Sequence, residues 1–304
     1  MELRQLRYFV KTAETLNFSE AARQLYITQS TLSQQIRQLE EELGVELFQR
    51  DSHSVSLTES GVHLLPNAKR TLQDAEDCFT QIRDLGQILT GELNIGVTYS
   101  FTHIVSEAAK TFIRKYPGVK LNIISRNMEV LLDLLKHREV DFVLCFRPSS
   151  IDSEIESHVL FEDRLCAIMR KDHPLADHES ISLEDLMNQR IALPGKTTQA
   201  RNAFNLNFPD AGSRLNVQVE INSVSFLIDL VRTANMITVL SESVLDFAEE
   251  ADKLKAIPLN APYTVLEGCV HTLKKVYRKR SADAFMRILC ESDAVAERAR
   301  NWLK

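Results

Sequence analysis

Residues 17–58 read NFSEAARQLYITQSTLSQQIRQLEEELGVELFQRDSHSVSLT, and this stretch decides the fold of the first part of the chain. Phe18-Ser19 opens a short amphipathic helix, with Ser19 as its N-cap and Glu20, Ala21, Ala22 and Leu25 continuing it. After Tyr26-Ile27, Thr28 caps a second segment whose apolar residues Leu32, Ile36, Leu39 and Leu43 recur at helical spacing. Gly44 stands where a C′ glycine ends such a helix. The polar face between them carries Gln29, Ser30, Ser33, Gln34 and Arg37, side chains that hydrogen-bond base edges and phosphates. Leu47 to Leu57 then alternates around the turn-formers Asp51, Ser52 and Ser54, a two-stranded wing with Arg50 placed for a phosphate. Upstream, Leu3, Leu6, Phe9, Val10 and Ala13 predict a first helix over 3–15. The layout is a winged helix-turn-helix, whose recognition helix enters the major groove of double-stranded DNA.

Thr58 caps a long helix with Glu59 in its first turn. Its apolar positions Leu65, Ala68, Leu72, Ala75, Phe79, Ile82 and, past Gly86, Leu89 follow a heptad seam. A seam of that kind favours pairing with a second helix, so a homodimer through this linker is expected. Pro66 lies inside the helix and should bend it locally.

Beyond Thr90-Gly91 the pattern changes to alternating strands and helices, the signature of a mainly parallel sheet with crossover helices. Strands are expected at 92–97, 120–125 and 140–146, with helices at 102–116 and 128–138. A second cycle begins near 164–169 and includes Leu183 to Met187, a strand at 190–193, helices near 198–206 and 224–234, and a strand at 236–240. The chain returns through Val265 to Leu273 and a final helix at 281–291. Two α/β lobes joined by crossing strands make a cleft suited to a small molecule. The expected domains are 1–58 for DNA binding, 59–90 for the linker helix and 91–304 for effector binding. Lobe one is placed at about 91–162 and 267–304, lobe two at about 163–266.

Composition bounds the function classes. The chain has 304 residues, 44% hydrophobic and 26% charged, with a formal charge of −6. No apolar run approaches the roughly 20 residues of a membrane span, and the start MELRQLRYFV lacks a secretory pattern. A cytoplasmic protein with no membrane partner is therefore expected. Cys78, Cys145, Cys166, Cys269 and Cys290 are scattered and show no CxxC spacing, which argues against a zinc site or a disulfide framework. No metal and no cofactor is implied.

The chain resembles the LysR-type transcriptional regulators. The resemblance is carried by Leu6-Arg7-Tyr8-Phe9, by the run Phe18 to Leu25, and by Thr28 to Ile36. It continues through Leu39-Glu40, Leu43 to Arg50 and Leu57 to Gly61. Beyond residue 90 it is one of pattern, with Lys171-Asp172-His173-Pro174-Leu175 similar to the family's entry into lobe two. The resemblance implies a DNA-binding domain, a linker helix and a two-lobed α/β effector domain like a periplasmic binding protein. It further implies a homotetramer on promoter or operator DNA, controlled by a small effector between the lobes. On this analogy Thr28, Gln29, Ser30, Ser33, Gln34 and Arg37 face the groove, and Arg50 and His53 the DNA backbone. A second wing arginine common in the family is replaced by His53, which weakens phosphate attraction. Residues 1–60 hold only six Lys/Arg against nine Asp/Glu, so affinity should lean on several domains per assembly.

For the effector, the first turn offers Thr98, Tyr99, Ser100, Phe101 and Thr102, with three aliphatic hydroxyls ahead of a helix start that favours an anion. Phe146-Arg147 ends the crossing strand, Lys196-Thr197 lies in the lobe-two turn, and Ser225 stands at another helix start. Together they suggest a carboxylate or other anion, with Tyr99, Phe101 and Phe146 covering an apolar body. Before the hinge strand the family's glycines are absent, leaving Asn235 as the residue most tolerant of positive φ.

Three rivals are weaker. An enzyme lacks a nucleophile–base pair or metal-ligand spacing in this sequence. A thiol-based redox regulator of the same family would need paired cysteines near residues 198–210, where there is none. A transported-solute binding protein does not explain the N-terminal DNA module.

Overall fold

The computed structural model describes residues 1–50, 54–84, 90–246, 248, 250–292 and 295. The expectations for Asp51, Ser52, His53, Gly86 and Leu89 lie outside the described residues. The chain divides into two compact units, residues 1–87 and 88–304.

In the first unit, α1 (Leu3–Thr15) begins with a capping box in which Gln5 Oε1 accepts from Glu2 N–H at 2.9 Å. It buries Leu6, Phe9 and Ala13. Helix α2 (Phe18–Gln24) is capped by Asn17, whose Oδ1 accepts from Glu20 N–H at 3.0 Å, and not by Ser19 as the sequence suggested. The reason is Phe18, which is helical and buried, with its ring 5.5 Å from Phe48. Helix α3 (Gln29–Leu43) is capped by Thr28 and ends on Gly44 at φ +70°. Leu32, Ile36 and Leu39 are fully buried, each contributing roughly 1.5–3 kcal/mol. Leu43, expected on the same stripe, is 39% exposed because the stripe outruns the core at the helix end.

Strands β1 (Phe48–Arg50) and β2 (Val55–Leu57) pair antiparallel as the wing. Thr58 Oγ1 accepts from Gly61 N–H at 3.1 Å and donates to Glu46 O at 2.6 Å, fixing the start of α4 (Glu59–Asp84). Gly61 is required there: a Cβ would stand 2.2 Å from Leu47 O. Helix α4 continues through Pro66. Its seam divides in two. Leu65, Ala68 and Leu72 pack on the core shared with α1, whereas Phe79 and Ile82 are 67% and 71% exposed.

In the second unit, lobe one comprises β3 (Gly91–Val97), α5 (Thr102–Lys115), β4 (Val119–Ser125), α6 (Met128–Lys136) and β5 (Phe142–Phe146). Strand β3 runs parallel to β4 and β5. Then comes the 16-residue strand β6 (Ile155–Arg170). Lobe two holds α7 (Leu183–Leu186), β7 (Arg190–Pro194), α8 (Gln199–Asn207), α9 (Ala211–Arg214), β8 (Asn216–Ile221), α10 (Val224–Ala234), β9 (Thr238–Ser241) and β10 (Leu254–Pro258). The chain returns as β11 (Val265–Leu273) and closes with α11 (Arg280–Cys290).

Strand β6 belongs to both lobes. Its first part pairs with β11 up to Arg164, and from Leu165 onward it pairs with β9. It therefore begins nine residues before the start expected from sequence. β8 and β10 were not expected at all, although Val217, Val219 and Ile221 alternate as a strand should. Asn235 takes the left-handed turn after α10, φ +51°, where the family's glycines are missing.

Candidate DNA interface and effector cleft

The exposed flank of α3 presents Thr28, Gln29, Ser30, Gln34 and Arg37, with Ser33 half-buried beside them. Thr28 Oγ1 accepts from Thr31 N–H at 3.2 Å and lies 2.9 Å from Ser30 Oγ, so the first turn is rigid before it meets anything. Arg50 is held in place from two sides. Its guanidinium lies 4.5 Å from the Phe18 ring centroid, and Nη2 is 3.3 Å from Glu40 Oε2. The other Glu40 oxygen accepts from Leu47 N–H at 2.8 Å and Phe48 N–H at 3.2 Å. Glu40 thus ties the last turns of α3 to the wing. In the sequence it reads only as part of the acidic run Glu40-Glu41-Glu42, and its role follows from the tertiary turn.

Most cations of this unit are already engaged. Arg23 forks onto Glu20 at 2.6 and 2.8 Å, and that guanidinium, helped by Gln24, draws the Glu20 carboxyl down to about 2. Arg4 pairs with Glu2 at 3.3 Å and Lys11 with Glu14 at 3.1 Å. Among the described residues of 1–60, Arg7 and Arg37 have no acidic partner.

In the second unit a cleft of about 420 Å³ lies between the lobes. Larger recesses exist, about 490 Å³ beside the crossing strands and about 500 Å³ beneath the wing. What distinguishes the inter-lobe cleft is its lining, where four helix starts converge. Thr98 to Ser100 open the short 3-10 turn Tyr99–Phe101 that precedes α5, Asn127-Met128 lead into α6, Thr197 to Ala200 into α8, and Asn222 and Val224 flank the start of α10. Helices α6, α8 and α10 carry side-chain caps, from Asn127, Thr198 and Ser223. The remaining N–H groups and the helix dipoles give this space a positive potential. Arg126 adds a full charge, with Nη1 donating to Ser125 O at 2.7 Å and no acidic partner among the described residues. No Asp or Glu among the described residues lines the cleft.

The structure brings together Thr98, Tyr99, Ser100, Phe146 and Thr197 of the expected effector residues. The others stand elsewhere. Phe101 is fully buried, its ring 5.1 Å from Phe146 and 5.4 Å from Phe161, so it packs lobe one and does not cover a ligand. Arg147 is committed to Glu267 at 2.6 Å, which removes it as the counter-charge. Thr102 and Lys196 are exposed outside the lining. Ser225 opens instead into an adjoining recess of about 280 Å³, shared with Tyr99, Val224 and Arg232. Sequence reasoning missed Arg126 and Asn127. The signal was present in Asn127 as an N-cap before the apolar helix, with a cation ahead of it.

Gln199 reaches across the cleft, its Nε2 donating to Arg147 O at 3.2 Å. Because that carbonyl can only accept, the amide orientation is fixed and Oε1 is left buried without a hydrogen-bond partner. The three buried thiols are quiet. Burial pushes Cys145 up, Cys166 up to about 12 and Cys269 up to about 11, so all three stay protonated near neutrality. Cys145 stands opposite Cys269 across β5 and β11, while Cys166 lies on the lobe-two part of β6.

Comparison with known proteins fits both units. Residues 3–62 match the bacterial regulatory helix-turn-helix model of the LysR family, and residues 86–294 match the LysR substrate-binding domain. The chain belongs to the LysR family. The dual regulator GltC of Bacillus subtilis is 30% identical over 86% of this LysR-family chain and 87% of its own. YnfL of Escherichia coli, an uncharacterized regulator, is 36% identical over 62% of the chain and 64% of its own length, just under two thirds. A full-length OxyR cysteine variant from Pseudomonas aeruginosa superposes with a TM-score of 0.75 at 23% identity, covering 99% of this chain and 98% of that one, and shares the fold. The relatives are named transcriptional regulators, and the chain is a DNA-binding regulator of transcription and not an enzyme. No helix among the described residues is long and apolar enough to cross a membrane.

Proposed function

We propose that this regulator is controlled by a small anionic effector, held between the lobes where the four helix starts meet Arg126. The convergence of those helix starts in a cleft without a carboxylate carries the reading. Thr98, Ser100 and Thr197 supply hydroxyls to the same head group, and Tyr99 and Phe146 flank its apolar part. The orphan Gln199 Oε1 asks for a donor, so the effector carries an O–H or N–H as well as its negative charge. A hydroxy or amino carboxylic acid has both. By binding one arrangement of the lobes more tightly, it shifts the population of DNA-binding states.

On the DNA side, Thr28, Gln29, Ser30, Ser33, Gln34 and Arg37 face the major groove, and Arg50 and His53 the phosphates. The bare Phe79 and Ile82 support a dimer through α4, and pairs of dimers give the family's tetramer. A peroxide-responsive mechanism finds less support, since the internal thiols are held protonated.

A thermal-shift series with matched carboxylates tests the effector reading. Lactate or an amino acid should raise Tm in a concentration-dependent way, more than the acid lacking the hydroxyl or amine. The gain should vanish in Ser100→Ala and Arg126→Ala. If hydrogen peroxide alters operator binding and no carboxylate moves Tm, the thiol reading replaces this one.

A further inference from the structure

The turn between α2 and α3 holds Tyr26 at φ +57°. Ile27 N–H donates to Ala22 O at 3.0 Å and Tyr26 N–H to Arg23 O at 3.2 Å, the paired bonds of a Schellman helix end. That geometry demands a positive φ at residue 26, which glycine adopts with least strain. Helix α3 ends in the left-handed region on a glycine, Gly44. Tyr26 bears the backbone strain, and its side chain recovers nothing among the described residues. It is 95% exposed and has no side-chain hydrogen bond, ion pair or ring contact among the described residues. Leu16, the other left-handed non-glycine residue of this unit, is only 47% exposed. A bulky aromatic held uncovered at a left-handed position is open to a partner outside the chain.

We propose that Tyr26 contacts DNA, with its ring against the sugar-phosphate backbone beside the groove entered by α3 and its hydroxyl donating to a phosphate oxygen. Tyr26 precedes the N-cap Thr28 by two residues and is continuous with the exposed start of the recognition helix at Gln29 and Ser30. Tyrosine is among the side chains that make such backbone contacts, and a phosphate acceptor strengthens the bond by its charge. The contact suits a unit whose cations are largely paired, because a phenol adds affinity without needing a free charge. The inference rests on α3 being the recognition helix.

The test uses the full chain and a duplex selected by the wild-type protein from a random pool. Affinity is read by fluorescence anisotropy across a range of salt, alongside Tm. Tyr26→Phe should bind about tenfold more weakly, the loss of one hydrogen bond to a charged acceptor. Tyr26→Gly should bind more weakly still while its Tm equals or exceeds the wild-type value, because glycine relieves the turn. Neither variant should change the salt slope, whereas Arg50→Ala, which removes a cation assigned to a phosphate, should flatten it by about one. A lower Tm in Tyr26→Gly makes the ring a structural part and overturns the proposal. Gln29→Ala separates the two levels. If it loses affinity or sequence preference while both Tyr26 variants bind like wild type, the Tyr26 contact alone is wrong. If it too binds like wild type, the recognition-helix reading fails.

Discussion

In the proposed reading the two units both bind anions, and they do so by opposite means. In the first unit the positive groups are side chains, and Glu2, Glu14, Glu20 and Glu40 already occupy four of them, Arg4 and Lys11 on α1, Arg23 on α2 and Arg50 on the wing. In the inter-lobe cleft the positive groups are mostly backbone, four helix starts with Arg126 as the single cation and no carboxylate among the described lining residues. A surface of paired side chains binds a polyanion weakly per copy and gains from repetition. Backbone dipoles cannot be paired off by a salt bridge to a neighbouring glutamate, and they would suit a small ligand that fits once.

The largest expected effect follows from that repetition. Phe79→Asp combined with Ile82→Asp on α4 should break self-association, read by sedimentation. Operator affinity should then fall by about a hundredfold or more, the avidity of linked sites. Equal affinity in a monomeric variant would mean that one copy suffices and would dissolve the contrast. Next comes Glu40→Ala. It strands the Leu47 and Phe48 N–H groups and frees Arg50, so the first unit should lose roughly 2–4 kcal/mol by chemical denaturation and lose DNA binding with it. Glu40→Gln, which keeps an acceptor, should recover much of the stability.

Acid should separate the units. His271 is fully buried, its Nδ1 2.8 Å from Ser157 Oγ, and burial holds its pKa down at about 4. Burial also lowers His158 and His173. The unfolded chain binds these protons first, so this stability is complete above about pH 6.5 and is lost as pH falls toward 4. His271 alone accounts for roughly 3 kcal/mol. The second unit should therefore melt progressively earlier across that window, and His271→Asn should flatten the dependence. The smallest effect concerns Gln199→Leu. It leaves unliganded stability close to wild type and abolishes the preference for an effector with a hydroxyl or amine over one without.

What the sequence disclosed followed the same division. Helix α3 is readable because its cap, its apolar period and its terminating glycine are all local, and α10 because its cap Ser223 and its apolar period are. Ser19 was mistaken for a cap because choosing between Asn17 and Ser19 depends on Phe18 reaching Phe48 through space. In the cleft, the hydroxyl-bearing turn after β3 was visible as a helix start. Which of its neighbours turn inward was not, so Phe101, buried against Phe161, was counted with Tyr99. Arg147 and Arg126 are both arginines at strand ends. Only the register of β11, which sets Glu267 beside Arg147, shows that one is spent and the other free for a ligand.

Strand β6 has one more consequence. It is a single rod built into two sheets, changing partners between Arg164 and Leu165. Sliding one lobe along the other would break ladder bonds on both sides of that point, whereas a twist there would strain only the few bonds at the changeover, such as Leu165 N–H to Thr264 O at 2.7 Å. The low-resistance motion of the second unit is therefore torsional. On the proposed function, the message of a ligand in the cleft would leave the domain as an angle rather than a distance, and an oligomer would have to read rotation.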